Sequence, residues 1–421
     1  MKLTKSGTSF FDIKKNSSSS EFPNLFTNYL LSHGETYFWE KGNFHVVTKA
    51  AHAKEILTSS AYSADRGSFF ISRMPNLDLR LIGDFFSVVK KMMVMSDDAD
   101  HLKKRKLAGL GFEDHILDKF TEKMHLTIKT LLSGLKERQS FDFSEEVAKK
   151  LPSTVLADLF SIPENDRPQF LKWSMTMTGF FGGASEYRNE DGIEVNQAAL
   201  NLKNYFSQLI EQRRQSVGED YVSILVRMQK VIGLSDEDLI SQLIMMLVAG
   251  MATTTDQINN IMFLLAERID LQKDLKDNPS LIPQAIEEMK RFDPAVTFIF
   301  RVAREKTMIG NQPIEVGDVI FISTHAINRD LPANESPFEI NIHRKAQHFA
   351  YGHGPHYCIG AKLGRMEMQC LFQEILSSLP LFELDSEKEA VRDHYSLSFS
   401  GFKALPLRFL AGHSGSEGTK I

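Results

Sequence analysis

The spacing of apolar and polar positions divides the chain into a strand-rich start, a long helical middle and a strand-rich end. Apolar runs at 37–39 and 44–48 flank a polar turn and predict a β-hairpin. From about residue 98 to 291 apolar positions recur with helical spacing. After Pro294, short β-like runs at 298–302, 307–314 and 319–323 predict further strands. The pattern predicts a mainly α protein with small β-sheets, an α+β fold.

One predicted helix is apolar on every side in its middle. Ser235 is placed as its N-cap with Asp238 three residues later, and the pattern continues to about Arg268. A helix without a polar face is buried. Its interior holds three consecutive threonines, which favour a helix little. We expect the Thr253 hydroxyl to bond to the Ala249 carbonyl and open a groove, although three merely tolerated threonines would give the same sequence.

A glycine-rich loop ends on Cys358 and leads into an apolar helix. Gly352 and Gly354 permit positive φ and close approach to a flat macrocycle. Phe349 is placed to shield the sulfur from water, and the helix after the cysteine turns its positive end toward it. These features suit a thiolate ligand to haem iron. A buried cysteine in an ordinary turn is the plain alternative for any one of them.

Composition narrows the class of protein. Of 421 residues, 42% are hydrophobic and 24% charged, and the net charge is −5, so we expect a globular protein that binds no nucleic acid. Two cysteines exclude a disulfide framework, and Cys370 is expected to be a packing residue. Residues 1–21 lack the apolar core of a signal peptide or membrane anchor. We expect a cytoplasmic monomer without a membrane segment, with disordered tails at 1–21 and 411–421 around a single catalytic domain at 22–410.

The cysteine loop resembles the ligand loop of the cytochrome P-450 family, F-x-x-G-x-G-x-H-x-C-x-G, at every fixed position, including His356 and Gly360. The resemblance implies the cytochrome P-450 fold: a small N-terminal sheet, a long helix over the haem, the ligand loop and a closing hairpin. It also implies haem b as cofactor, Cys358 as the metal ligand and O2 as co-substrate.

The threonine segment is similar to the family's oxygen-activation motif, A-G-x-[D/E]-T-[T/S]. Ala249, Gly250 and Thr253 stand on its fixed positions, but Ala252 replaces the usual acid. The resemblance therefore implies catalytic roles for this segment with an altered proton supply. Ordered water, a substrate hydroxyl or Asp256 are the candidates to work with Thr253.

Two further sets of residues have places that resemble those of the family. Glu288 and Arg291, three apart on a helix, would ordinarily form a weak surface ion pair, but with Arg344 they resemble its structural E-x-x-R network. The residues whose positions imply binding of the haem propionates are His101, Arg105, Arg301 and His356.

The resemblance also suggests surfaces for substrate and electron donor. Substrate contacts are expected at Phe85, Phe86, Met245, Val248, Ala249, Val296, Thr297, Phe298, Leu397 and Phe399. Lys103, Lys104 and Lys106 form a basic run expected to dock an acidic electron donor, with a solvated helix face as the alternative.

The sequence thus predicts a soluble, bacterial-type haem-thiolate monooxygenase that hydroxylates or epoxidises an apolar molecule, with natural-product tailoring as the default context. Its electrons would come from a separate ferredoxin or flavodoxin with its reductase, and the substrate could be bound to a carrier protein. Two alternatives stay open. One is the same haem fold with desaturation, oxidative coupling or peroxide-driven chemistry, and the other is a haem sensor or carrier without turnover.

Overall fold

Helices fill the middle of the chain, as the apolar spacing predicts. The computed structural model describes residues 20–181, 187–216, 218–393 and 398–410. In that part of the chain the α-helices are α1 (Phe22–Leu31), α2 (Ala50–Thr58), α3 (Gly67–Ser72), α4 (Gly83–Val89), α5 (Asp98–Gly109), α6 (Asp114–Leu132), α7 (Lys150–Leu159), α8 (Arg167–Phe181), α9 (Asn189–Gln215), α10 (Tyr221–Ile232), α11 (Asp236–Glu267), α12 (Ile269–Asp277), α13 (Ile282–Phe292), α14 (Thr324–Ile327) and α15 (Ala361–Ser378).

The strands are short and lie mainly at the two ends of the chain. They are β1 (Thr36–Trp39), β2 (Phe44–Val47), β3 (Tyr62–Ser63), β4 (Ser140–Asp142), β5 (Phe298–Ala303), β6 (Thr307–Ile309), β7 (Gln312–Ile314), β8 (Val319–Ser323), β9 (Phe382–Leu384), β10 (Val391–Arg392), β11 (Phe402–Ala404) and β12 (Pro406–Phe409).

The largest sheet joins the predicted hairpin to the strands that follow the helical block. Its order is β1-β2-β8-β5-β3, with β2 and β8 parallel and the other pairs antiparallel. The predicted run 307–314 is the hairpin β6–β7, turning at Gly310 with φ +58°. Sequence reasoning missed β4, inside the helical block. It pairs with β12 near the other end of the chain, and such a long-range pairing leaves little local signal.

The long helix α11 is the centre of the main hydrophobic core. Ser235 and Asp238 form the predicted capping box, in which the Ser235 hydroxyl accepts from the Asp238 backbone N–H at 3.1 Å. By length and composition α11 could cross a membrane, but 56% of its most apolar window is buried inside the protein. It crosses α7, α8 and α9 and reaches α13 and α15, so side chains from all of these meet along it.

Candidate active site

Cys358 stands between the glycine-rich loop and helix α15. Gly352 and Gly354 have φ of +73° and +69°, the left-handed conformation expected of them. A Cβ on Gly354 would lie 2.6 Å from the Leu57 carbonyl oxygen, so this glycine lets the loop approach α2. The Cys358 backbone N–H donates to the Tyr351 carbonyl at 2.8 Å, which closes the loop.

The Cys358 side chain is exposed, but into an internal cavity. Burial raises the pKa of its thiol. The Gly360 backbone N–H and the charges of Arg105, Arg365 and Lys290 act in the opposite direction and favour the thiolate. Gly360 caps α15, so the positive end of this helix faces the sulfur, as the sequence suggests.

The cavity has a volume of about 360 Å³ and is bounded by α11, β5 and the cysteine loop. Six of the residues expected to contact substrate line it: Met245, Val248, Ala249, Val296, Phe298 and Phe399. Thr253 and Gly250 face the same space from α11. The threonine segment and the cysteine, over a hundred residues apart, therefore share one cavity.

The cavity is also lined by the four residues expected from the sequence to bind the haem propionates: His101, Arg105, Arg301 and His356. The rings of His101 and His356 lie 3.9 Å apart, and in the described part of the chain His101 Nε2 is buried without a hydrogen-bond partner. Burial lowers the pKa of Arg301 to about 10 and that of Arg66 to about 10, and Arg66 is further affected by the charge of Arg301. The buried Arg301 guanidinium, the half-buried Arg66 and an unpaired imidazole nitrogen suit a bound dianion. The residues thus fit a cofactor with two carboxylates.

Phe349 does not line the cavity, and its role in shielding the sulfur stays a prediction. It is 7% exposed and belongs to a hydrophobic cluster with Leu57 and Ile322. Its backbone N–H donates to Asn328 Oδ1 at 2.7 Å. In the structure it anchors the start of the loop to the sheet.

On α11, Thr253 differs in orientation from Ala252, where the acid is missing, and from Asp256, the residue proposed in its place. The Thr253 hydroxyl donates to the Ala249 carbonyl at 2.7 Å, the expected bond. Ala252 does not line the cavity, and neither does Asp256, whose carboxylate lies against Gly401. These two positions, four residues apart, share a face turned away from the cavity, which corrects the expectation that Asp256 sits beside Thr253.

Three of the expected substrate contacts do not reach the cavity. Phe85 and Phe86 line a second cavity of about 370 Å³ together with Phe180, and Phe70 borders both cavities. Thr297 is fully buried, with its N–H bonded to the Ser398 carbonyl at 2.8 Å. Leu397 lies outside the described residues.

The basic run on α5 is only partly a surface. Lys103 and Lys106 are exposed, but Lys104 is 3% exposed and donates to Ser96 Oγ at 2.7 Å and Asp100 Oδ2 at 2.6 Å. Lys104 is therefore wrong as a docking residue. Its spacing from His101 (i, i+3) puts both on the same face of α5, and the packing of that face against the protein buries Lys104.

The Glu288–Arg291 pair is buried, with both side chains at 0% exposure and two hydrogen bonds of 2.8 and 2.9 Å. Arg344 Nε lies 3.8 Å from Glu288 Oε1. Arg291 also donates to the carbonyls of Pro337 and Glu339. The plain alternative of a solvated surface bridge is thereby excluded.

Sequence reasoning missed several cavity residues. Arg66 follows no recognisable motif, and Lys290 was seen only as the neighbour of Arg291. Glu367 lies on the face of α15 toward the cavity, and burial raises its pKa to about 8. An acid placed three residues before Cys370 in an apolar helix was the one signal that pointed to it.

Comparison with known proteins agrees with this geometry. The family model described as Cytochrome P450 matches residues 9–406. The chain is 30% identical to Cytochrome P450 107B1 of Saccharopolyspora erythraea over 322 residues, 75% of this chain and 76% of that protein. It is 30% identical to the mycinamicin IV hydroxylase/epoxidase of Micromonospora griseorubida over 325 residues, 76% of this chain and 80% of that protein.

A solved structure shows the same fold. P450BioI, in complex with an acyl carrier protein ligated to hexadec-9Z-enoic acid, superposes with a TM-score of 0.83 at 25% identity, covering 93% of this chain and all of that one. The sequence motifs, the shared cavity of Cys358 and Thr253, and these matches lead to one conclusion. The chain belongs to the cytochrome P450 family of haem-iron oxidoreductases.

Proposed function

We propose that this protein inserts one oxygen atom from O2 into an apolar small molecule, by hydroxylation or epoxidation, in the tailoring of a natural product. The observation that carries the proposal is that Cys358 and Thr253 line one cavity whose remaining walls are largely apolar. The hydroxylase/epoxidase among the relatives supports the reaction type. The catalytic domain would span 22–410 and act in the cytoplasm as a monomer.

Haem b is the cofactor we assign to this cavity, where its iron would supply the site of dioxygen activation. The Cys358 thiolate would be the iron ligand, held by the Gly360 N–H. Arg301, Arg105, His101 and His356 would bind the propionates, since they line the cavity and bring an excess of positive charge to it. Arg66 joins this set on the same grounds.

Thr253 is the residue we assign to proton handling. Its hydroxyl proton is directed to the Ala249 carbonyl, which leaves the Oγ1 lone pairs free to accept a hydrogen bond from a cavity water or a substrate hydroxyl. Because Ala252 has no carboxyl and Asp256 faces away, no acid of the usual motif stands beside it. Water or a substrate hydroxyl is thus the favoured proton source.

The substrate would contact Met245, Val248, Val296, Phe298 and Phe399, all of which line the cavity. Apolar walls of this kind favour burial of a hydrophobic molecule and give few directional contacts. The acyl carrier complex of P450BioI supports testing a carrier-bound substrate as well as a free one.

Electrons would come from a separate ferredoxin or flavodoxin with its reductase. Because Lys104 is buried, Lys103 and Lys106 are the two lysines of this run on α5 that are exposed for contact with the electron donor. α5 also carries Arg105, which lines the cavity, so the docking face and the haem site lie on one short helix.

A second candidate is the same haem site with desaturation, coupling or peroxide-driven oxidation. Ala252 favours it, because a missing acid weakens the usual supply of protons. Product analysis separates the two. We expect 18O from 18O2 in the product when donor proteins and reductant are supplied to candidate apolar substrates. Product made only with peroxide, or product without 18O, would replace the proposal with the second candidate.

A further inference from the structure

A second charged cluster lies behind the cysteine loop and is centred on Glu287 of α13, the residue before Glu288. Among the described residues, Glu287 is the only carboxylate that pairs with the three basic side chains of this cluster. Arg365 donates to Glu287 at 2.9 Å, a ring nitrogen of His348 lies 3.1 Å from it, and Lys290 forms an ion pair with it. Lys290 is 1% exposed and its ammonium is therefore desolvated, whereas Glu287 and Arg365 are partly exposed.

Tyr351 is held between two of these cations. Lys290 Nζ lies 4.4 Å from the centre of the Tyr351 ring and 3.0 Å from its hydroxyl oxygen. The Arg365 guanidinium lies 4.5 Å from the same ring centre. A cation over an aromatic face is worth more when it is removed from water, so the buried Lys290 makes the stronger of these contacts.

Tyr351 connects the cluster to the cysteine. Its carbonyl accepts the Cys358 N–H at 2.8 Å, and Arg365 reaches the other end of the segment by donating to the Tyr357 hydroxyl at 3.2 Å. The Glu288–Arg291 pair instead holds carbonyls at 337 and 339. The two clusters, adjacent in sequence, therefore anchor different segments.

The charges of the cluster do not cancel. Lys290 and Arg365 bring two positive charges against one negative charge from Glu287. Burial lowers the pKa of Lys290 to about 8, which leaves this lysine mostly charged at neutral pH, and His348 adds no charge there because burial lowers its pKa. A net positive charge close to an iron–thiolate centre favours the state with one more electron, since that state is the more negative.

We infer that Lys290 and Arg365, with Glu287 as their common partner, are positioning residues that fix the cysteine loop through Tyr351 and raise the reduction potential of the haem iron. The inference rests on the proposed function in one respect, that haem is bound through Cys358. It adds that the electron-accepting strength of the iron depends on these two side chains.

The test is a spectroelectrochemical titration of the ferric/ferrous couple in haem-loaded Lys290→Met and Arg365→Gln, beside the wild type. Both variants are expected to hold haem with a thiolate-type ferrous–CO spectrum and to show lower potentials. Lys306→Met, which removes the same charge from an exposed side chain on the turn before β6, should leave the potential unchanged. Wild-type potentials in both cluster variants would overturn the inference.

Arg365→Lys tests whether the potential depends on the positive charge at this position or only on the packing of the side chain. It keeps the positive charge but not the two-pronged bond to Glu287, so its potential should lie closer to the wild type than that of Arg365→Gln. Equal potentials for these two variants would also overturn the inference. If buried Lys290→Met fails to retain haem, the partly exposed Arg365 pair still decides the question. A wild-type protein without a thiolate-type spectrum would instead refute the proposed function itself.

Discussion

The Thr253 hydroxyl donates a 2.7 Å hydrogen bond to the carbonyl of Ala249, inside the cavity that Cys358 also lines. This bond fixes the direction of the hydroxyl proton and leaves the hydroxyl oxygen able to accept a hydrogen bond. We expect Thr253→Ala to lower product formation on the order of 100-fold while oxygen consumption continues, because it removes the hydroxyl to which we assign proton handling. Product and peroxide yields per oxygen consumed measure this. Thr253→Ser keeps a hydroxyl and should retain most coupling, whereas equal coupling in Thr253→Ala and the wild type would remove Thr253 from the mechanism.

Ala252 stands where the related motif has an acid. Ala252 does not line the cavity, so an acid there would have to act through water. If the missing carboxyl limits proton supply by this route, Ala252→Asp should raise the coupled fraction of oxygen consumption on the order of 3-fold. Ala252→Asn, which matches aspartate in size but cannot supply a proton, is the control. A similar response of both variants would show that the size of the side chain, not its acidity, matters.

The buried Glu288–Arg291 pair should be needed for haem retention. Glu288→Gln leaves Arg291 charged and without its carboxylate at 0% exposure, at a cost of roughly 3–5 kcal/mol. We expect purified Glu288→Gln to hold little haem and to unfold at lower urea concentration. Glu315→Gln, which disrupts an exposed pair with Lys306, should behave as the wild type. Full haem content in Glu288→Gln would contradict the structural role.

The α5 lysines should differ in what they do. Lys103→Glu and Lys106→Glu are expected to slow reduction by an acidic donor, with the largest effect at low salt, because both side chains are exposed. Lys104→Glu should mainly destabilise the protein, since its buried ammonium bonds to Ser96 and Asp100. Stopped-flow reduction at several salt concentrations and urea unfolding distinguish these effects. Reduction rates of Lys103→Glu and Lys106→Glu that match the wild type at low salt would place the donor elsewhere.

Glu367 predicts a specific pH dependence of stability. Burial raises its pKa from 4.5 to about 8, so the folded state favours the neutral acid. The contribution of neutral Glu367 to the free energy of unfolding is fully present below pH 4.5 and is lost as the pH rises through about 8. Glu367→Gln cannot lose a proton at this position. The difference in unfolding free energy between this variant and the wild type should therefore shift in favour of the variant between pH 5 and pH 8.5. Glu374→Gln, on the same helix, is the control. Parallel pH profiles for Glu367→Gln and the wild type would show that this acid is not buried in its neutral form.

Much of the site was readable from sequence because its signals are local. The capping box at Ser235, the threonine–carbonyl bond at Thr253 and the positive φ of Gly352 each depend on residues within a few positions of one another. Local backbone geometry follows from such short spacings. The cysteine loop was recognisable for the same reason, since its glycines, histidine and cysteine lie within one short segment.

Tertiary packing decided the rest. Lys104 and Lys106 look alike in sequence, but the packing of α5 buries one and exposes the other. Phe85 and Phe86 are directed by the packing of α4 into a second cavity. Glu287 and Lys290 of α13 meet Arg365 of α15 behind Tyr351. By itself the sequence determined the local backbone and singled out Cys358 as the candidate iron ligand. Which charges are buried together was decided by the folded structure, because burial depends on what other segments bring to the same place.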